Sequence, residues 1–242
     1  MPELGDLATA CAIVALGAAL QGFLGFGFGI AAMSLLTLSH DLLHAAALVN
    51  VTGLLVTSTL LFALRRSALW RRALRILPGL LVGVAVGVLA LRHVERAWMV
   101  HVLGATVVAI AAWNLAAPRL HPPRSLALDL GVGLVSGLLG GAFNTGGPPL
   151  VAHLYAQREA PEAAKATIQA LFLTTSIARL PLSAAQGLVA PAVWRDAAFA
   201  APFALAGLAL GVVLARRLPA EQFRRSAWIG LGTLGIALLV SG

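Results

Sequence analysis

The sequence predicts an all-α polytopic membrane protein made of two inverted repeats, each a broken-helix hairpin plus three transmembrane helices. The composition, a repeat of glycines and prolines, and the distribution of basic residues lead to this prediction. Hydrophobic residues make up 60% of the 242 residues and charged residues 11%, whereas a soluble domain carries about 25% charged residues. The apolar runs are continuous and many approach the ~20 residues that a helix needs to cross a bilayer, so they indicate helices and not a barrel.

Short clusters of basic residues separate the apolar runs, as in cytoplasmic loops. This distribution explains the net charge of +8 without a nucleic-acid partner. The single cysteine, Cys11, excludes an internal disulfide and a cysteine metal site. The N-terminus lacks the basic segment of a cleaved signal peptide, so we expect Leu7 onward to be a permanent membrane element. The apolar runs are 5–38, 43–64, 73–91, 97–116, 126–156, 165–185, 197–214 and 226–241.

The chain repeats itself. Residues 20–28 align with residues 135–143, which matches glycines and a phenylalanine in the same order. Further along, a constant offset matches Pro78, Gly83 and Gly87 to Pro202, Gly207 and Gly211. We expect these last glycines to allow close helix packing. The order and spacing of the whole set predict two transmembrane repeats, 1–120 and 121–242, which together form one transport domain.

The first run of each repeat, 5–38 and 126–156, is too long for one crossing and is interrupted by a glycine cluster. If each run crossed once, the loops on the two sides would carry eight basic residues each. If each run is a hairpin that returns to its own side, the loops carry thirteen basic residues on one side of the membrane and three on the other. The positive-inside rule favours the hairpins, which invert the second repeat and predict that both termini are periplasmic. Such inverted repeats are typical of secondary transporters with a midplane binding site.

The two glycine clusters are the predicted binding site, because irregular backbone at membrane depth is tolerated only inside protein or along a wet cavity. In the second cluster a capping residue and prolines predict a new half-helix, whose first amides suit a small anion. Close helix packing is the alternative. The residues predicted to bind the anion here are Gly25, Gly27 and Gly29 in the first cluster and Gly140, Gly141, Asn144, Thr145, Gly146, Gly147 and Pro148 in the second.

Arg179 is the only basic residue well inside an apolar run. A charge at that depth costs at least ~2.5 kcal/mol and so faces a cavity or a partner. We expect no carboxylate within the membrane to pair with it, which leaves an anionic substrate or snorkelling to the periplasmic surface. Asn50 and Gln169 could line a polar path or form interhelical hydrogen bonds.

If transport is coupled to an ion, the candidates are a proton and sodium, and the sequence does not choose between them. The expected lack of membrane carboxylates argues against a carboxylate proton relay, although His153 could carry a proton if it is not simply a packed neutral histidine. His40 and His44 are four residues apart but have no clear third ligand, so neither a metal nor a cofactor is predicted.

The glycine-rich segments 22–29 and 137–149, with the Pro-x4-Gly-x3-Gly spans, resemble the sulfite exporter TauE/SafE family of bacterial membrane proteins. The resemblance covers nearly the whole chain. It implies transport of sulfite, thiosulfate, sulfonates or related organosulfur anions across the inner membrane, whereas the residues alone imply only an anion. Phe26 and Phe28 make the first cluster the more apolar one, so we expect the halves to bind unequally.

These observations predict a secondary transporter that works by alternating access. An anion channel is one alternative, which flux saturation and counterflow would distinguish. An intramembrane enzyme is another, since Ser136 and His153 flank the second cluster. However, the sequence contains no G-x-S-x-G, H-E-x-x-H or P-loop motif.

Overall fold

The protein is helical throughout the part described by this computed structural model, which covers residues 4–116, 124–157, 159–217 and 220–241. These residues contain ten helices and no strand. The helices are α1 (Leu4–Leu24), α2 (Phe28–Leu36), α3 (Leu42–Leu64), α4 (Trp70–His93), α5 (Arg96–Ala116), α6 (Leu126–Phe143), α7 (Gly147–Ala156), α8 (Pro161–Ala185), α9 (Pro191–Arg217) and α10 (Ala220–Ser241). The all-α prediction is confirmed, and the predicted repeat boundary at 120/121 lies outside the described residues.

Six helices in the described ranges are long and apolar enough to cross a membrane. They contain the segments Asp6–Leu24, Leu42–Leu64, Trp70–Leu91, Leu126–Phe143, Pro161–Ala185 and Pro191–Arg217. Two further helices, α5 and α10, contain the shorter apolar segments Ala97–Trp113 and Arg225–Val240. The chain is therefore a multi-pass membrane protein.

Both long apolar runs are broken where the glycine clusters predict. The first break separates α1 from α2, and Gly25 and Gly27 there have φ of 85° and 106°. The second separates α6 from α7, and Asn144 there has φ of 56°. A residue in this left-handed region ends a helix, and glycine and asparagine adopt it most readily. The predicted breaks are thus confirmed.

The short helix after the first break folds back along α1. A Cβ at Gly17 in α1 would lie 3.1 Å from the Phe28 carbonyl oxygen and 3.5 Å from the Ala32 Cβ in α2. The start of α1, the α2–α3 connection and the start of α9 then meet around one groove, whose lining includes Asp6, His40 and Asp196. Both ends of the first hairpin therefore lie at the same face of the protein.

The second hairpin ends at the other face. Gln157, just after α7, lies with Asp129 near the start of α6 in one polar cluster. The Ser67 hydroxyl, after the end of α3, donates to Glu162 at the start of α8. Because α3 begins beside the first groove and ends here, its 23 residues separate the two faces by about 34 Å at 1.5 Å per residue.

The glycines of the Pro-x4-Gly-x3-Gly spans lie at close helix contacts. Added Cβ atoms at Gly83 and Gly87 of α4 would overlap carbonyl oxygens of α6, and those at Gly207 and Gly211 of α9 would overlap carbonyl oxygens of α1. The packing interpretation of these glycines is confirmed. Helix α4 thus packs along α6 and α9 along α1, while α3 packs on α8 and α5 on α10.

Candidate functional site

The two helix breaks meet in the interior and enclose a cavity. A Cβ at Gly29, in the first turn of α2, would overlap the Asn144 carbonyl oxygen in the second break. The cavity between them has a volume of about 40 Å³. A single water needs roughly 10–15 Å³ on this measure, so the space admits a few small atoms. Six of the predicted site residues line it: Gly27, Gly29, Gly140, Asn144, Gly146 and Gly147.

Four backbone N–H groups from the first turns of the two half-helices belong to residues that line the cavity. They are the amides of Gly29, Ile30, Gly146 and Gly147, and no described residue accepts a hydrogen bond from any of them. The next two positions in α7 are prolines, which have no N–H to offer. The N-terminal ends of α2 and α7 therefore both present unpaired donors and positive helix dipoles to one small space, an arrangement that suits an anion.

Ser136 adds a side-chain donor to this space, which the sequence analysis considered only for an enzyme. Its side chain is fully buried, it lines the cavity, and its Oγ has no hydrogen-bond partner among the described residues. The hydroxyls of Thr57 and Thr175, which also line the cavity, are already bonded to carbonyl oxygens of their own helices. A buried hydroxyl without a partner is costly, and a bound oxyanion would satisfy it.

The described lining of the cavity offers dipoles to a ligand and no formal charge. None of the described residues that line it carries a charged side chain. Apolar side chains form much of the wall, and hydrogen bonds are electrostatically stronger in such a low-dielectric setting than in water. The apolar lining residues are Phe28, Ile30, Val49, Leu80, Leu150 and Phe172.

Arg179 lies outside the cavity lining. Its Nε donates to the Gly141 carbonyl oxygen at 2.7 Å, one Nη to Ala46 at 2.7 Å and the other to Ala142 at 3.3 Å. The residue is 1% exposed, which rules out snorkelling. Instead, Arg179 places its charge on the last carbonyls of α6, at the negative end of that helix. It joins the second break to α3, a third arrangement that the sequence analysis did not consider.

Gln169 hydrogen-bonds to the backbone of the first break and does not itself line the cavity. Its Nε2 donates to the Gly25 carbonyl oxygen at 2.5 Å, and its Oε1 accepts from Gln21 Nε2 at 2.9 Å. The Gln21 Oε1 in turn accepts from the Phe28 amide at 3.3 Å, in the first turn of α2. Gln21 lines the cavity whereas Gln169 does not. Gln21 is not among the predicted site residues, although its place just before the first glycine cluster is a signal for it.

The other predicted site residues border the breaks without lining the cavity. Gly25 is covered by the Lys165 side chain, and Gly141 packs against the backbone of α4. Asn50 Nδ2 lies 3.5 Å from the Ser176 carbonyl oxygen, an interhelical contact. Two more predicted residues belong to the second break itself: Thr145, whose N–H bonds to the Leu139 carbonyl oxygen, and Pro148, in the first turn of α7. Direct anion contact by these residues stays a prediction.

A carboxylate lies inside the membrane-spanning part of the chain, contrary to the expectation above. Asp129 of α6 is fully buried within the span Leu126–Phe143. Its Oδ1 lies 2.7 Å from His153 Nε2 and 2.9 Å from an Arg72 Nη. A single acidic residue near the start of an apolar run is easily overlooked, and it is tolerated because cationic and histidine partners from neighbouring helices surround it.

The histidines of the opposite face do not form a metal site. The described residues contain no group of three or more histidine, cysteine or acidic side chains that could hold an ion. His40 and His44 stack with ring centroids 6.2 Å apart, and His44 Nε2 lies 3.2 Å from an Asp196 carboxylate oxygen. They contribute to the groove at the end of the first hairpin.

Comparisons with known proteins agree with this architecture. The family "Sulfite exporter TauE/SafE" matches residues 10–238. The "Probable sulfite/organosulfonate exporter TauE" of Cupriavidus necator is 30% identical over 219 residues, which cover 86% of this chain and 82% of that protein. The "Probable inner membrane transporter protein TsaS" of Comamonas testosteroni is 29% identical over 177 residues, 72% of this chain and 73% of that protein. No solved structure matches the chain.

The family and both relatives are transporters, so the chain is a membrane transporter and not an enzyme. The match extends through both helix breaks and through the helices that pack around them. The resemblance noted in the glycine-rich segments is therefore confirmed: the chain belongs to the sulfite exporter TauE/SafE family.

Proposed function

We propose that this chain is a secondary transporter that moves a small sulfur-containing oxyanion across the bacterial inner membrane by alternating access. The observation that carries the proposal is the cavity between the two breaks, where the unpaired amides of two half-helices and the Ser136 hydroxyl converge. Several donors around one small space match an anion with several oxygen atoms, such as sulfite, thiosulfate or the head of a sulfonate. The names of the two relatives favour the same chemical class.

The proposed mechanism uses two inverted halves that interlock, so that the α4–α6 pair and the α1–α9 pair rock against each other about this cavity. Three features support it. The two hairpins end at opposite faces. Helix α4 packs on α6 and helix α9 on α1, so each pair joins the two halves, and the close backbone contacts at their glycines make each pair a rigid unit. The basic residues, distributed thirteen to three, favour an orientation with the end of the second hairpin in the cytoplasm and both termini in the periplasm.

The test is transport by the purified chain in sealed liposomes. Labelled sulfite, thiosulfate and methanesulfonate are supplied separately, and initial uptake is measured against concentration. We expect saturable uptake of at least one anion, and acceleration when the vesicles are preloaded with the same unlabelled anion. Uptake that neither saturates nor responds to preloading would instead indicate a channel. No uptake of any of the three by intact vesicles would refute the assignment to sulfur anions.

A further inference from the structure

Asp129 and His153 form a buried ionisable pair at the far end of the second hairpin from the cavity, here called the Asp129–His153 pair. Their exposed fractions are 0% and 4%, and 2.7 Å separates Asp129 Oδ1 from His153 Nε2. The anion site described above uses neither residue. Ionisable side chains inside membrane spans are expensive and commonly belong to ion or proton pathways.

Charged groups from every neighbouring element face this pair. Helix α4 contributes Arg72, 2.9 Å from Asp129 Oδ1, and Arg75, 3.3 Å from Oδ2. Arg124, just before the start of α6, and Glu159, just after the end of α7, form an ion pair with each other at 2.9 Å. Arg72 Nη2 also lies 3.2 Å from His153 Nε2. Both Asp129 oxygens face arginines, whereas the second ring nitrogen of His153, Nδ1, faces no charged group of the described residues and is the candidate proton acceptor of the pair.

The hydrogen bond to Asp129 identifies the nitrogen that is free to take this proton. His153 Nε2 lies 2.7 Å from Asp129 Oδ1 and 3.2 Å from both Arg72 Nη2 and Gln157 Nε2. We assign a hydrogen to Nε2 on the shortest of these contacts, because an ionised carboxylate only accepts. The neutral ring then has its lone pair on Nδ1, which lies 3.5 Å from Gln157 Nε2. The adjacent arginines Arg75 and Arg124 are 47% and 60% exposed, so solvent at this face lies close to the pair.

Helix α7 connects the pair to the anion cavity. Gly147 begins the helix and lines the cavity, and His153 lies in its last turn. Six residues separate them along the helix, about 9 Å at 1.5 Å per residue. A proton on His153 would be favoured by the negative end of α7 and would attract an anion at the positive end through low-dielectric protein. The attraction is reciprocal, so each ligand strengthens binding of the other.

We propose that the Asp129–His153 pair binds the coupling proton and that this proton crosses the membrane in the same direction as the anion. The proposal rests on the proposed transport function. The proton enters from one side onto His153 Nδ1 and leaves from the same atom to the other side, with no other bond made or broken. Asp129 keeps its contact with Nε2 and so holds the ring in place.

Gln157 links protonation of His153 to the contact between α4 and the end of α7. Its Oε1 accepts a hydrogen bond from Arg72 of α4, and its Nε2 lies 3.5 Å from His153 Nδ1. Rotation of the Gln157 amide would present its oxygen to a protonated Nδ1 and withdraw it from Arg72. Protonation of His153 therefore competes with the bond that ties α4 to the end of α7. A proton that loosens this contact can thereby influence the opening of this face.

The test uses the full-length chain in liposomes with a pH-sensitive dye inside and the membrane potential clamped. The probes are labelled thiosulfate and methanesulfonate, which keep their charge through the neutral range. For the wild type, we expect anion uptake to acidify the lumen, and a gradient of one pH unit to drive up to about tenfold accumulation at one proton per anion. The readout for each variant is the ratio of gradient-driven accumulation to counterflow rate.

His153→Gln and Asp129→Asn should lower this ratio by up to about tenfold, to the value without a gradient. The matched control is His44→Gln, which breaks the histidine–aspartate contact at the opposite face and should keep the wild-type ratio. An unchanged ratio in His153→Gln would overturn the proposal. So would a wild type that shows anion counterflow but moves no protons, or moves them in the direction opposite to the anion. Absence of counterflow in the wild type would refute the transport function itself. If neither variant folds, the wild-type dye measurement still decides whether protons accompany the anion.

Discussion

The Arg179 guanidinium donates a 2.7 Å hydrogen bond to the carbonyl oxygen of Gly141, in the last turn of α6. This bond and two similar ones fix the end of α6 against α3 and α8. The only arginine deep in an apolar run thus maintains the second break, and its charge is compensated by backbone dipoles.

Arg179→Ala should therefore lower stability before it affects substrate recognition. It leaves buried carbonyl oxygens without donors, at about 1–3 kcal/mol for each unsatisfied group. The measurement is thermal unfolding in detergent, with Arg195→Ala as the control, because Arg195 is 47% exposed and its partner Asp196 keeps a second contact with His44. Wild-type stability combined with a raised KM for the anion would mean that Arg179 contacts substrate.

Alanine at Gly146, the N-cap residue of α7, and at Gly147, its first residue, should have different effects. At Gly146 the new Cβ would overlap the Ser136 carbonyl oxygen, whereas at Gly147 it would lie 3.0 Å from Cζ of the Phe172 ring, which can move. We expect Gly146→Ala to reduce the yield of folded protein, and Gly147→Ala to fold but raise the KM by narrowing the cavity. Gly131→Ala is the control, since no atom lies within 4 Å of its added Cβ. Unchanged transport kinetics in Gly147→Ala would argue against anion contact there.

Gln21 and Gln169 should act as one unit because they hydrogen-bond to each other and to opposite sides of the first break. Gln21→Leu and Gln169→Leu should each slow transport, and the double variant should be only slightly slower than either single variant. We expect a coupling energy of about 0.5–3 kcal/mol from a double-mutant cycle on kcat/KM. Gln186→Leu, at the end of α8, is the control. Strictly additive effects would show that the two side chains work separately.

The inverted arrangement can be tested by cysteine labelling in a Cys11→Ser background. Ser39→Cys and Ala160→Cys mark the ends of the first and second hairpins, and both positions are exposed. We expect a membrane-impermeant maleimide to label position 39 from the periplasm and position 160 only after the cytoplasmic side is opened. Ala190→Cys, just before α9, should behave like position 39. Labelling of positions 39 and 160 from the same side would contradict the inverted repeat.

The sequence predicts the helix breaks and the close-packed spans well because both depend on local backbone properties. Gly25 follows the end of α1 and Asn144 ends α6 in the left-handed region, Gly27 in the same region precedes α2, and the prolines of α7 lie in its first turn. Likewise, Gly83 and Gly207 allow close approach whichever helix packs on them.

The roles of individual polar side chains could not be predicted in the same way because they depend on contacts between distant segments. The bond from Arg179 to Ala46 joins residues 133 positions apart, and the bond between Gln21 and Gln169 joins residues 148 positions apart. Asp129 was missed because its partners Arg72 and His153 come from two other helices.

The most direct test of the central claim, that the anion binds between the two breaks, is the effect of Ser136→Ala on anion affinity in counterflow. A hydrogen bond to a charged group contributes about 1.5–3 kcal/mol, so we expect the KM to rise by at least about tenfold while the protein stays folded. Ser34→Ala and Ser183→Ala are matched controls, because both serines are buried with unpartnered hydroxyls among the described residues but do not line the cavity. A raised KM in Ser136→Ala alone would confirm the site. The same KM in all three variants and the wild type would contradict it.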